Sequence, residues 1–172
     1  MNNSAYIALG SNKGDRFGYL KHAIGLIDES DEIELCAVSS VYESKAYGIK
    51  EQSDFLNAVI MIKTGMEVRE LLSFLKDVEK KSGRSAGKRW GPREIDLDLL
   101  FYNKLVLRED EISVPHPGIQ FRDFVVVPLS EIAPELIHPV LKIKVSSIKI
   151  GEEDRTIISK YSNHLQIKSG VL

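Results

Sequence analysis

The sequence predicts an α+β fold: a ferredoxin-like βαββαβ core with a mainly antiparallel sheet, closed into a three-layer α/β/α sandwich. Three observations carry this expectation. Stretches of alternating apolar residues and stretches of helical apolar spacing succeed one another as strand, helix, strand, strand, helix, strand. Both helical stretches open on side chains that can cap them. No repeat, low-complexity tract or Pro-rich linker divides the chain, so residues 1–172 are expected to form one domain.

The first strand is expected at Ala5–Leu9, ending in the turn signal Gly10-Ser11-Asn12. Asp15 then caps a helix whose Phe17, Leu20, Ile24 and Ile27 share one face. Ile33–Tyr42 alternates as a second strand, and Phe55–Ile62 is rich in β-branched and aromatic residues as a third. The polar segment SKAYGIKEQSD connects those two. Thr64 with Glu67 has capping-box spacing, and Val68, Leu71, Leu72, Leu75 and Val78 form the stripe of a second helix. A basic loop leads into the alternating run Glu94–Tyr102, the fourth strand of the core. Beyond Val114, Pro115 and Pro117 bracket His116, and a short helix is expected through Phe121–Val127, ended or interrupted by Pro128. In the tail, KIKVSSIKI is strand-like and GEEDR turn-like.

Of 172 residues, 23 are Lys or Arg and 25 Asp or Glu, a balance of −2 that argues against a general nucleic-acid coat. The hydrophobic share of 43% supports an ordinary core without staples. With Cys36 alone no internal disulfide can form; a cytoplasmic setting is expected, and Cys36 is read as a small buried hydrophobe. No apolar stretch reaches membrane-spanning length, so no membrane partner is expected. One departure from the average stands out. Lys76–Arg93 holds seven basic residues against two acids, a net of +5, leaving −7 for the rest. Such a patch suits an anion or a solvated basic loop.

The residues at the end of the patch and just beyond it favour the anion. In RWGPREIDLDLLFY, strand alternation places Ile95, Leu97, Leu99 and Phe101 on one face and Asp96 and Asp98 on the other. Two carboxylates about 7 Å apart repel unless a cation sits between them. Magnesium, a hard ion held by one or two carboxylates plus substrate phosphates, fits. A lone D-x-D can equally be two solvated side chains, but Arg84, Lys88, Arg89 and Arg93 arrive just before this one, and guanidiniums grip phosphate oxygens in pairs. No G-x-x-x-x-G-K-[ST] loop occurs, so a nucleotide would be held in another way.

Four segments in order, AYIALGSNKGDR, SSVYES with YG and Q-S-D-F-L-N after it, GRSAGKRWGPREIDLDLL and VPHPGIQFRDFVVVPLSEIAPEL, make the chain resemble the 6-hydroxymethyl-7,8-dihydropterin pyrophosphokinase family of folate biosynthesis. The likeness spans about Ala5–Leu136 and leaves 140–172 as a divergent tail. It implies transfer of pyrophosphate as one unit from ATP to the pterin hydroxymethyl group, with AMP released. It also implies two Mg2+ ions on Asp96 and Asp98, with Arg84 and Arg93 as the other catalytic residues. On the ATP side it implies Lys76, Glu79, Lys88, Leu99, Ser113, His116 and Arg122. On the pterin side it implies Ser44, Ala46, Tyr47, Phe55, Asn57, Trp90 and Phe124, with Phe55 and Phe124 stacking on the ring and the loop of Trp90 closing as a lid. Asn57, two residues beyond Phe55 and on its strand face, offers both a donor and an acceptor.

Two stretches depart from the family pattern. SAGK stands where a second loop arginine is common, with Lys88 as its replacement, and SKAYG stands where a Thr and a Pro are common. The expected partners are ATP and the pterin alone, with no nucleic acid, and the expected state is a monomer. A magnesium-dependent nucleotidyltransferase with a D-x-D pair is the alternative. An RNA-binding module of the same topology would need a K/R-G-F-G-F-V-x-F-like strand, which the sequence lacks.

Overall fold

The computed structural model describes residues 1–47, 51–85, 91–109 and 112–166. Its elements are β1 (Asn3–Ser11), α1 (Arg16–Asp28), β2 (Ile33–Val38), β3 (Tyr42–Ser44), β4 (Phe55–Thr64), α2 (Val68–Lys81), β5 (Asp96–Tyr102), β6 (Leu107–Arg108), β7 (Ser113–Val114), α3 (Asp123–Ile132) and β8 (Ile157–Lys160). Among the described residues the main sheet has six strands in the order β5-β1-β4, followed by β2 and β3 side by side along β4, and then β8 on β3. Every pairing is antiparallel. With β2 and β3 taken as one interrupted strand, the core is the expected βαββαβ arrangement. No helix among the described residues is long and apolar enough to cross a membrane.

Alternation along the strands divides the interior in two. Ala5, Ile7 and Leu9 of β1, Ala58, Ile60 and Ile62 of β4 and Leu97 and Leu99 of β5 face α1 and α2. Val59, Leu100 and Phe101 face α3, which brings Val125, Val126 and Leu129. This is the three-layer sandwich. On the first face Leu20, Ala23, Ile24 and Ile27 of α1 are buried, and each of the larger three contributes about 1.5–3 kcal/mol by leaving water. Asp15 caps α1 as expected, accepting from the Gly18 N–H.

Several boundaries differ from the sequence expectation. The strand expected at Ile33–Tyr42 is two strands. Ser39 Oγ takes the Val59 N–H at 2.9 Å, and Glu131 of α3 accepts from Ser40 N, Ser40 Oγ and Tyr42 Oη, so side chains stand in for the missing ladder. The box that opens α2 is Glu67 with Glu70, not Thr64 with Glu67. Thr64 still belongs to β4, where its hydroxyl donates to Glu32 O and accepts from Met66 N. The last core strand starts at Asp96 rather than Glu94 and carries a bulge: Ile7 faces Leu99 while Tyr6 faces Phe101. Phe101 therefore turns to the α3 side, away from Leu97 and Leu99.

The helix expected at Phe121–Val127 is α3, and it runs through Pro128 to Ile132. Proline removes one N–H, and the buried row Val125, Val126 and Leu129 holds the helix across it. The tail also differs. The stretch expected as a strand holds a short 3-10 turn at 145–147, and the strand lies later, at Ile157–Lys160, while the turn expected at GEEDR is a 3-10 turn at 152–154. Cys36 is half-buried rather than buried.

Candidate active site

Helix α3 covers only part of its sheet face, and the uncovered part is the floor of a cavity of about 310 Å3. Strand register fixes that floor. Gly10 of β1 pairs with Asn57 on one side and Asp96 on the other, and Ala8 pairs with Asp98. Asp96, Gly10 and Asn57 thus form a row across three strands, with Asp98 in the next row on the same face. An ideal Cβ at Gly10 would lie 3.6 Å from both Asn57 Oδ1 and Phe55 Cδ1, so a large side chain there would enter the cavity. The N-terminal end of α3 supplies the wall residues Arg122 and Phe124, and the segment after β3 supplies Lys45, Ala46 and Tyr47.

At one end of the cavity charge is concentrated. Asp96 is held between two guanidiniums, with Arg84 Nη1 at 2.9 Å and Arg93 Nη1 at 2.7 Å, one on each oxygen. Asp98 has a looser partner, Arg122 Nη1 at 3.8 Å. Its carboxyl is pushed up to about 6, first by loss of water in the recess and then by the charge of Asp96. Such a pair favours the arrival of positive charge. Among the described residues no group of three or more His, Cys, Asp or Glu could hold a metal ion. Two hard carboxylates beside an open cavity instead suit an ion that keeps some ligands for water or phosphate, as magnesium does.

Buried bonds set these groups in place. Glu79 of α2 is 2% exposed; its Oε1 accepts the Leu97 N–H at 2.8 Å and contacts Arg84 Nη1. It thereby satisfies an edge-strand N–H midway between Asp96 and Asp98. Gly83, at φ +89°, ends α2 in the left-handed turn that brings Arg84 back over Glu79. Asn12, 2% exposed, ties three segments together. Its Oδ1 accepts from Arg93 N at 2.8 Å, and its Nδ2 donates to Gln52 Oε1 and Ser53 O, each at 3.2 Å. Glu94 is locked by Lys13 Nζ at 2.6 Å and Ser85 Oγ at 2.8 Å, and the lysine contact leads in holding its carboxyl down to about 2.

The other end is aromatic and amide-bearing. Phe55, Tyr47 and Phe124 line it, with the Tyr47 and Phe124 rings 6.0 Å apart. Arg122 Cζ lies 5.8 Å from the centre of the Tyr47 ring and 6.0 Å from that of Phe124. Asn57 Nδ2 donates to Ser44 Oγ at 2.8 Å and Tyr42 O at 3.3 Å, so its donor is spent within the protein and Oδ1 is the group on the Gly10 side. His116 Nδ1 accepts from the Gly118 N–H at 3.1 Å, which leaves Nε2 as its other polar atom. At Gly118 a Cβ would come within 3.0 Å of Arg122 Nε, so glycine leaves the guanidinium its place.

Burial, and secondly Arg122, lowers the His116 pKa to about 4. The ring is then neutral throughout the physiological range. An unfolded chain takes up this proton below about 6.5. The stabilisation from a neutral His116 is therefore complete above about 6.5 and lost as pH falls through about 4. The His116 ring signals in an NMR titration of the free protein are expected to stay flat from pH 8 to about 5. A midpoint near 6.5 would contradict the buried, neutral setting.

Of the residues expected from sequence, Ser44, Ala46, Tyr47, Phe55, Asn57, Arg93, Asp96, Asp98, His116, Arg122 and Phe124 line this one cavity, and Arg84 reaches it through Asp96. Others do not. Glu79 lies under the floor, Lys76 is exposed on α2 at 3.4 Å from Glu79, and Leu99 points into the helix-side core. Ser113 lies in the β6–β7 ribbon, where its hydroxyl contacts Arg108. Lys88 and Trp90 lie outside the described residues. Sequence reasoning missed Ala8, Leu9, Gly10, Gln52, Gly91 and Val125 in the lining and Asn12 beside it. The Gly-Ser-Asn turn was the available signal for Asn12, but a turn does not show which segments its amide will join.

Residues 6–134 match the family model described as 7,8-dihydro-6-hydroxymethylpterin-pyrophosphokinase (HPPK). The chain is 48% identical over 139 residues to the 2-amino-4-hydroxy-6-hydroxymethyldihydropteridine pyrophosphokinase of Aquifex aeolicus, covering 81% of this chain and 86% of that one. It is 43% identical over 136 residues to the Bacillus subtilis protein of the same name, covering 79% and 81%. The fold is similar to a crystal structure of Plasmodium falciparum HPPK-DHPS with pteroate, at TM-score 0.67 and 15% identity, over 85% of this chain and 43% of that one.

Proposed function

Since the chain belongs to the 7,8-dihydro-6-hydroxymethylpterin-pyrophosphokinase family, we propose that its cavity moves the terminal pyrophosphate of ATP onto the hydroxymethyl oxygen of 6-hydroxymethyl-7,8-dihydropterin and releases AMP. One observation carries the assignment: two carboxylates and two guanidiniums meet at one end of a cavity whose other end is lined by aromatic rings and Asn57, with Arg122 between the two ends. A triphosphate suits the first end, and a flat polar heterocycle suits the second.

In this reading the hydroxymethyl oxygen attacks the β-phosphorus and gives up its proton to water, the bond from that phosphorus to the bridging α,β-oxygen breaks, and AMP leaves with the bridging oxygen. Phe55 and Phe124 stack on the pterin, and Asn57 Oδ1 accepts a hydrogen from its amino or ring N–H edge. That places the hydroxymethyl group toward Asp98 and holds the reactants at attack distance. Arg84 and Arg93 exchange Asp96 for phosphate oxygens, and Arg122 does the same from Asp98, so negative charge gathering on the transferred group meets fixed donors. His116, neutral, offers Nε2–H to a phosphate oxygen or to the nucleotide. Asp96 and Asp98 would hold two Mg2+ ions, which supply charge neutralisation and a lower pKa for the attacking hydroxyl. No side chain is assigned as general base. The same reading takes the chain as a single catalytic domain that works as a monomer in the cytoplasm.

The products test it. Incubation with ATP, Mg2+ and the dihydropterin is expected to yield AMP in step with pterin consumption and no inorganic pyrophosphate. Release of pyrophosphate would make the enzyme a nucleotidyltransferase, and ADP a simple kinase.

A further inference from the structure

The tail beyond the family match reaches both walls of the cavity, and on one of them it is held by a buried carboxylate. Asp123, the first residue of α3, is 6% exposed and accepts four hydrogen bonds. Three come from the tail: Thr156 N at 2.7 Å, Thr156 Oγ1 at 2.6 Å and Ile157 N at 2.8 Å. The fourth is from Phe124 N at 2.8 Å. Thr156 also faces the opposite wall, where its carbonyl accepts from Lys45 N at 2.9 Å. Tyr47 Oη donates to Asp154 Oδ1 at 3.3 Å, and Ser44 pairs with Ile157. The two walls, 44–47 and 122–124, lie far apart in sequence and are bridged by residues 154–157.

We propose that Asp123 and Thr156 form a latch that fixes the spacing of these two walls, which makes Asp123 a positioning residue for the pterin. The inference rests on the reading that the Phe55, Asn57 and Phe124 end receives the pterin. A charged acceptor of four donors at a helix N-terminus is stiff, because each bond restricts the same carboxylate. Asp123 lines no part of the cavity, and the phosphate end draws its support from other bonds, those of Glu79, Asn12 and Glu94. Arg122 is the one phosphate-contacting residue on the latched wall, so loosening the latch acts first on the pterin and on the phosphates only through that side chain. A purely structural cap would act on stability alone or on both substrates together.

Asp123→Ala is expected to raise the KM for the pterin about tenfold and the KM for ATP by no more than about threefold. Thr156→Val, which keeps the shape and removes the hydroxyl, is expected to raise it about threefold, and Thr156→Ser to restore it. Hydrogen exchange at the Lys45 amide is expected to quicken in Asp123→Ala and Thr156→Val, a readout that needs no substrate. Should Asp123→Ala fail to fold, the Thr156 pair and the exchange rates decide. An unchanged pterin KM with unchanged exchange overturns the latch, and so does a parallel rise of both KM values. If wild type does not turn over the pterin, the parent reading has failed; wild-type turnover beside a Thr156→Val variant of unchanged KM defeats the latch alone.

Discussion

Asp98→Ala is expected to lower kcat by at least about a thousandfold while melting within a few degrees of wild type. The two halves of this expectation have one cause. Asp98 faces the cavity with 39% of its side chain exposed, and its nearest ion-pair partner, Arg122, is 3.8 Å away. The fold gains little from such a carboxylate, which loses water and stands close to a like charge. In the proposed reaction the same carboxylate holds the cation that meets the phosphates, and alanine offers no oxygen in its place. Turnover and thermal melting measured on one preparation check both halves, and calorimetric titration of Mg2+ in the presence of a non-hydrolysable ATP analogue checks the lost ligand. A kcat within tenfold of wild type would remove Asp98 from the chemistry.

Arg93→Ala is expected to cost roughly a hundred- to a thousandfold in kcat, with Arg93→Lys recovering only a small part. The Arg93 backbone is held from both sides by Asn12, since its N–H donates to Oδ1 at 2.8 Å and its carbonyl accepts from Asn12 N at 3.1 Å. Those bonds survive any side-chain change, so the loop keeps its place and the loss falls on the guanidinium. Lysine restores the charge but not the planar fork that meets two phosphate oxygens. If charge accumulates on the transferred group only as the reaction proceeds, the loss appears in kcat more than in the KM for ATP. A variant altered only in the KM for ATP would place Arg93 at ground-state binding instead.

Two pairs of cavity residues were legible because strand alternation is a local rule, whereas Ser44, Ala46, Tyr47, His116, Arg122 and Phe124 were named from the family resemblance. Asp96 with Asp98 and Phe55 with Asn57 each lie two apart on a strand, so each pair shares a face whatever the rest of the chain does. Residues 6–134 of the family match likewise lie within the stretch that resembles it in sequence. Phe101 was not legible, because the bulge at Leu100 moves it to the other face and only the partner strand reveals that register. Thr64–Glu67 and Glu67–Glu70 both fit capping-box spacing, and the choice between them turns on how far β4 extends. The break after Val38 depends on Glu131, about ninety residues away.

Glu79 and Asn12 show the same limit at the site. Each has a polar side chain of a kind that could contact a ligand, and each is instead buried and bonded to backbone and side-chain groups of the protein. Burial depends on packing from several segments, so a motif alone cannot separate a ligand-binding glutamate from one that supports the ligand's neighbours. The strand of the tail was unreadable for a related reason. It is short, and its place is fixed by Asp123 and β3 rather than by any pattern of its own.

The most direct test of the account tracks the phosphorus atoms. With ATP labelled separately at the β and γ positions, Mg2+ and 6-hydroxymethyl-7,8-dihydropterin, both labels are predicted to appear on the pterin in equal amounts, and the nucleotide product to be unlabelled AMP. Transfer of the γ label without the β label, or retention of both labels in free pyrophosphate, would contradict it.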